Sequence, residues 1–138
     1  MSSKKMEKKA QISLEYLIII TAFFSSLLII IPSINFIVND FLFVNDSLLM
    51  KQISEKISEQ DKLFLFLSDG SRKEFEFVPA KDITLKTINN EFILSNPKKT
   101  IIINLSSKQN FFEEKFNSKF VIIIEKQNNE TKIFFSKK

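Results

Sequence analysis

Neither cysteine nor histidine occurs among the 138 residues. Without imidazole or thiol, the chain lacks the usual general base near neutral pH, the thiolate nucleophile and the common structural-zinc ligands. It also lacks any disulfide framework, so cysteine usage leaves its redox compartment unread. Gly70 is the one glycine. Phosphate-cradling loops need several glycines for close backbone approach, which excludes P-loop and dinucleotide-binding fingerprints. Paired carboxylates are present at Glu74/Glu76 and Glu113-Glu114. An acid–base pair needs contrasting environments that push two pKa values apart, and these alternating, charge-rich stretches read instead as solvated faces. No nucleophile–base arrangement, metal cluster or cofactor loop emerges, so neither an enzymatic activity nor a cofactor is expected.

Tryptophan is also absent, whereas phenylalanine occurs 16 times and the mean hydropathy is near zero. That average hides an apolar front and a charged, Phe-rich back. The formal net charge is +4. Lys4, Lys5, Lys8 and Lys9 against Glu7 give the first ten residues +3, which leaves +1 for all the others. The basic balance thus belongs to a short leader, and an almost neutral body gives little electrostatic support for phosphate binding. A Phe platform for nucleic-acid bases would need exposed rings beside a basic groove. The phenylalanines read as core fillers, and no nucleic-acid partner is expected.

No charge interrupts residues 16–39, whose densest stretch, Tyr16 to Ile31, is followed by Pro32. About 20 mainly apolar residues in a helix cross a bilayer core. The four lysines ahead of the run orient it with the N-terminus in the cytoplasm and the C-terminal part outside. A cleavable secretory signal has a shorter apolar region followed by a small-residue cleavage site. Here "IIIPSINF" offers no such site. A plain, unprocessed signal anchor fits the length but gives no reason for Glu15, a costly carboxylate at the edge of a lipid-facing run.

The segment "KKAQISLEY" supplies that reason. Its basic leader, small Ala10, then Gln11, Ser13 and Glu15 running into the apolar helix resemble the class III signal peptide of archaeal type IV pilin-like proteins. Ile19 stands where that family often has Leu, and the likeness covers residues 4 to about 31. The resemblance implies cleavage by a prepilin peptidase between Ala10 and Gln11, ahead of the apolar run. It also implies incorporation of the mature chain, through an assembly platform, into a surface filament with copies of itself or with co-pilins. The new α-amine of Gln11 is largely protonated at neutral pH. Glu15 lies one helical turn on, on the same face. In the wider family this glutamate is thought to meet the N-terminal amine of a neighbouring subunit. Such a pair acts as a register device, because an unpaired buried charge is heavily penalised. Translation from Met6 would leave the leader "MEKKA", still basic. Competing readings are an unprocessed membrane-anchored surface protein whose outer domain binds a ligand or partner, and a pseudopilin-like part of a secretion or uptake machine.

The expected fold class is α+β. A basic leader (1–10) precedes a transmembrane or filament-core helix (11–31) and an amphipathic stalk helix (32–60). A β-rich outer domain (61–138), an antiparallel sheet or sandwich, completes the chain. Pro32 lacks an N–H and its ring crowds the Leu28 carbonyl, which predicts a kink, with Ser25 and Ser26 placed to take up freed backbone groups. Ile34, Val38, Phe41, Leu42, Leu49, Ile53 and Ile57 form the expected apolar stripe of the stalk. Asn39, Asp46, Lys51, Glu55, Lys56 and Glu59 form its polar face. Beyond it, "KLFLFLS" reads as a buried strand and "DGSR" as a hairpin turn. "KEFEFVP" alternates as a strand, Asn89-Asn90 reads as a tight turn between "DITLKT" and "EFILS", and "QNNE" reads as a turn between two further strands. About seven strands result, with residues 108–118 ambiguous between helix and strand. Asn45, Asn104 and Asn129 head N-glycosylation triplets, and Asn129, in an expected turn, is the best acceptor of the three.

Overall fold

The computed structural model describes residues 11–138, together with the helical backbone of residues 3–10. Of the leader only this backbone is described, and the side chains of Met6 and Ala10 lie outside the description. One helix, α1 (Ser3–Phe64), precedes five strands. These are β1 (Arg72–Phe77), β2 (Ile83–Asn96), β3 (Lys99–Phe116), β4 (Phe120–Gln127) and β5 (Glu130–Lys137). The class is α+β: a long, apolar N-terminal helix followed by antiparallel sheets. Two compact units divide the chain, Met1–Asp40 and Phe41–Lys138.

In the first unit the helix is not broken at Pro32. Ser26 Oγ donates to the Phe23 carbonyl and Ser33 Oγ to the Ile29 carbonyl. Neither bond reaches the Leu28 oxygen that Pro32 leaves without its usual N–H donor, so the serine compensation expected of Ser26 is not made.

In the second unit the last part of α1 packs on the strands. Met50, Ile53, Ile57 and Phe64 are buried against Phe77, Ile83, Leu85, Phe92, Leu94, Leu105, Phe116, Phe120, Ile122 and Ile124. Steps of three, four and seven residues put these helical positions on one face. Of the expected stripe, Ile53 and Ile57 are buried and Leu49 is partly buried against the core, but Ile34, Val38 and Phe41 are exposed. The buried stripe begins only at Asp46.

Three strands form one sheet in the order β1-β4-β5, and β2 and β3 form a second. The seven expected strands become five: "DITLKT" and "EFILS" are one strand, because the break expected at Asn89-Asn90 is absent, and "KLFLFLS" is not a strand. Asn89, at φ 52°, makes an irregularity inside β2 instead of a turn. The register passes from Asn89↔Gln109 to Glu91↔Asn104. Buried positions on β2 accordingly change from Ile83, Leu85 and Thr87 to Phe92 and Leu94, the change of parity a bulge produces. Residues 108–116 are strand, continuous with the rest of β3. The "QNNE" turn is as expected: Asn128 and Asn129 both have positive φ, the backbone of a two-residue type I′ hairpin.

The "KLFLFLS" strand is a correction. Lys62, Leu63 and Phe64 finish the helix, because Phe64 continues the buried helical face. Leu65, Phe66 and Leu67 are exposed, Phe66 at 88%. The buried Lys126 ammonium donates to the Leu65 and Leu67 carbonyls at 3.2 and 2.6 Å and so caps the helix end. Gly70, at φ 87°, then turns the chain toward β1, so "DGSR" connects helix to strand and does not close a hairpin.

Side chains join the two sheets. Buried Gln109 on β3 donates to the Thr131 carbonyl (2.7 Å) and accepts from the Ile133 N–H (3.0 Å), which covers part of the β5 edge. Phe112 of β3 stacks on Phe135 of β5 with ring centroids 4.6 Å apart. Asp46, expected on the polar face of the stalk, is fully buried instead. Its carboxylate accepts the backbone N–H groups of Ala80, Lys81 and Asp82 at 2.6, 2.9 and 3.1 Å. Asp61 likewise takes the N–H and hydroxyl of Ser106, in the irregular part of β3.

Asp46→Ala leaves three N–H groups of the β1–β2 connection without their acceptor. Hydrogen bonds to a charged group contribute about 1.5–3 kcal/mol each, and they act here as one unit. We predict a loss of at least about 3 kcal/mol in thermal unfolding of the detergent-solubilised full chain. A loss under about 1 kcal/mol would contradict that role. Glu76 gives a second prediction. Hydrogen bonds from Lys119 and Lys138 hold its carboxyl down from 4.5 to about 2. A depressed carboxylate pKa contributes stability above the unfolded-state value, and that contribution is lost as pH falls from near 4.5 toward 2. Glu76→Gln should therefore flatten acid destabilisation across this window at low salt and alter it little at high salt, because the site is exposed. An unchanged acid-unfolding profile would refute the pairing.

Candidate functional site

The sequence motif maps to the start of the described helix. Gln11, Ser13 and Glu15 are all helical and exposed. Gln11 and Glu15, four residues apart, share a face one turn from each other. At the cleavage position Ala10 only the helical backbone is described.

After Glu15 the helix presents apolar side chains on every face. Tyr16, Leu17, Ile18, Ile19, Phe23 and Phe24 are each about 60% exposed, and the same holds broadly through Ile37 and Val38. Three hydroxyls in this run, those of Thr21, Ser26 and Ser33, turn inward to the backbone. Thr21 Oγ1 lies 2.8 Å from the Leu17 carbonyl and 2.9 Å from that of Ile18, and Ser26 and Ser33 bond carbonyls of the preceding turn. Such bonds let a hydroxyl face hydrocarbon without an unmet donor. This helix is long and apolar enough to be a candidate membrane span. The 24 uncharged residues rise about 36 Å as α-helix, against a hydrocarbon core of about 30 Å.

In the β-rich unit the paired carboxylates do not converge. Glu113 and Glu114, adjacent on β3, point to opposite faces. Glu113 meets Lys86 at 2.9 Å and Glu114 meets Lys137. Glu74 is held by Arg72 at 2.5 Å, and Glu76 by Lys119 and Lys138. These are separate ion pairs along solvated faces, without the contrast of environments that acid–base work requires. No group of acidic side chains suited to a metal occurs among the described residues. A groove of about 660 Å³ runs between Ser54–Leu63 of the helix and Ile101–Ile103 of β3. It has an apolar floor and carries Glu55, Glu59 and Lys62 among its lining residues.

Most phenylalanines of the second unit are core. Phe64, Phe77, Phe92, Phe116 and Phe120 are buried, and Phe75, Phe112 and Phe135 pack against them. Phe66, Phe111 and Phe134 are exposed. Lys86 lies 5.8 Å from the Phe111 ring.

The three glycosylation triplets sit in unlike places. Asn45 is on the helix, Asn104 is exposed on β3 and Asn129 is exposed in the β4–β5 turn. The hydroxyl partners of the first two are already engaged: Ser47 bonds the Phe43 carbonyl and Ser106 bonds Asp61. Asn129 itself is tied through its N–H to Asp69 at 2.9 Å.

Sequence reading missed the buried polar set, Asp46, Asp61, Gln109 and Lys126. For Asp46 a signal existed: it lies four residues before Met50 and seven before Ile53, in phase with the buried stripe. No family model, curated protein or solved structure matches the chain.

Proposed function

We propose that this chain is a precursor of a filament subunit of the archaeal type IV pilin kind. In this reading it is inserted in the membrane with its N-terminus in the cytoplasm. A prepilin peptidase cuts it between Ala10 and Gln11, and it is then drawn into a surface filament. The observation that carries the reading is the helix from Gln11 to Asn39. Its apolar surface is bare on all sides, and a single carboxylate, Glu15, stands one turn after the residue that cleavage would expose.

The physical logic runs from solvent to assembly. In the membrane, lipid covers the bare helix. On leaving lipid, the same surface has to be covered by equivalent helices of other subunits, because water would be far costlier. As helices gather, Glu15 loses access to water and needs a cation. The Gln11 ammonium that cleavage creates on a neighbouring subunit is a charge of the right sign in the same layer. Pairing then sets the axial register between subunits, because a shift by one turn would leave two buried charges unmet. The carboxylate pairs and solvated strands of the outer unit suit a surface carried outside the cell.

Glu15→Ala should leave membrane insertion and leader removal nearly intact while cutting incorporation into sedimentable filaments at least about tenfold, the cost of one unmatched buried charge. Cell-surface filaments are sheared off, sedimented and quantified against the membrane pool. Wild-type filament yield from this variant would overturn the pairing role. Complete absence of the wild-type chain from any filament, with its leader retained, would favour the membrane-anchored surface protein instead.

A further inference from the structure

The two sheets leave one stretch of strand open. β3 pairs with β2 along one side. On its other side β5 reaches it only from Ser107 onward. There the Thr131 N–H donates to Ser107 Oγ at 3.1 Å, and Gln109 bonds the backbone of Thr131 and Ile133. Asp61 of the helix closes the edge one residue earlier, taking the Ser106 N–H and hydroxyl at 2.9 and 2.8 Å. From Thr100 to Leu105 no strand lies beside this edge among the described residues. The groove of about 660 Å³ runs here, and its lining includes Ile101, Ile102 and Ile103 together. Successive side chains of a strand point to opposite faces, so a groove that touches all three lies along the strand's edge.

Exposed edges are commonly blunted by charge or proline. β1, an outer strand of the other sheet, carries Arg72, Lys73, Glu74 and Glu76. Residues 100–105 carry neither charge nor proline, and Ile102 is 58% exposed. Charges stand at the two ends of the open stretch, with opposite sign: exposed Lys99 at its start, and Asp61 beside Ser106 at its finish. The helix wall of the groove repeats this order. Helix and strand run in the same sense here, because Asn96 reaches Ser47 and Ser106 reaches Asp61. Glu55 therefore lies toward the Lys99 end and Lys62 toward the Ser106 end, with Glu59 between them.

We propose that the Thr100–Leu105 edge of β3 is a self-pairing surface, on which the same edge of a second copy adds as an antiparallel strand. A two-fold axis at Ile102 sets Ile101 against Ile103 of the second copy and Thr100 against its Asn104. Lys99 then stands against its Leu105, next to the Ser106 that Asp61 holds. Each copy's cation meets the other's carboxylate, and each Lys62 turns toward the other's Glu55. Parallel, in-register pairing would instead set Lys99 against Lys99. The two β2–β3 hairpins become one four-stranded sheet, whose new backbone bonds use the groups that face the groove. The helices of such a pair run in opposite directions. It therefore joins subunits of opposite polarity and is a different contact from that between neighbours in one filament. The pairing does not depend on the filament reading.

The chain has no cysteine, so single-cysteine variants report the register directly. The full chain is placed in lipid nanodiscs holding one copy each, which keeps the apolar helices apart. Ile102→Cys should link disc to disc on mild oxidation, because directly opposed residues have Cβ atoms about 5 Å apart. Thr100→Cys and Asn104→Cys should link to each other when mixed, but not to themselves. Two copies of residue 100 are offset by four positions, about 13 Å along the strands, beyond the roughly 7 Å between Cα atoms that a disulfide spans. Ile102→Lys sets like charges across the axis and should weaken disc pairing about tenfold or more in sedimentation, with the thermal midpoint unchanged because the side chain is exposed. Discs that stay single at every concentration would overturn the proposal. So would Thr100→Cys linking to itself as fast as to Asn104→Cys, or wild-type pairing by Ile102→Lys. The same cross-links in detergent read the pairing without reference to a membrane.

Discussion

An apolar helix that its own chain does not cover is the constraint on which the rest of this protein depends. The sheets bury the helix only from Asp46 onward, through Met50, Ile53, Ile57 and Phe64. Before that point, large side chains on every face remain exposed. Bare apolar surface at about 25 cal/mol per Å² cannot be left in water over so many residues. Lipid would cover it, and the helix is a candidate membrane span. The inward-turned hydroxyls of Thr21, Ser26 and Ser33 agree with such surroundings, because they leave no donor unmet.

The second unit solves a different problem, which is to fix a small sheet to the end of a helix without disulfides. Its apolar core is one part of the solution. Buried polar side chains that reach from one element to the backbone of another are the second part. Asp46 ties the helix to the β1–β2 connection, Asp61 ties it to the irregular part of β3, Lys126 ties β4 to the helix end, and Gln109 ties β3 to β5. Each joins elements far apart in sequence. Each would also cost more broken than it contributes made, because the partner N–H or C=O groups are sheltered from water. Such ties specify one arrangement of helix and strands where apolar packing alone tolerates several.

The sequence revealed the apolar helix, the α+β class, and the strands whose side chains alternate or whose turns have a distinct chemistry. "KEFEFVP" and the Asn128-Asn129 turn are examples. It misled where one residue pattern serves two structures. "KLFLFLS" has strand composition, yet Phe64 fits the helical stripe and tertiary packing decides in its favour. Asn89-Asn90 suits a turn or a bulge equally, and only pairing with β3 selects the bulge. Asp46 was assigned to solvent by residue type although its spacing placed it inside. Buried charge is rare enough that type outweighs position in any single-sequence reading. The motif around Glu15 rests on local order along the chain, and the structure adds that Gln11, Ser13 and Glu15 are helical and exposed.

The claim that binds these parts is that a cut ahead of the apolar run creates the mature N-terminus and, with it, the cation that Glu15 needs. Intact mass of the chain extracted from its native membranes tests this most directly. The account predicts a mass that begins at Gln11 and retains the whole apolar helix. A mass that includes the basic leader, from either Met1 or Met6, would contradict it, and so would one that begins beyond the apolar run.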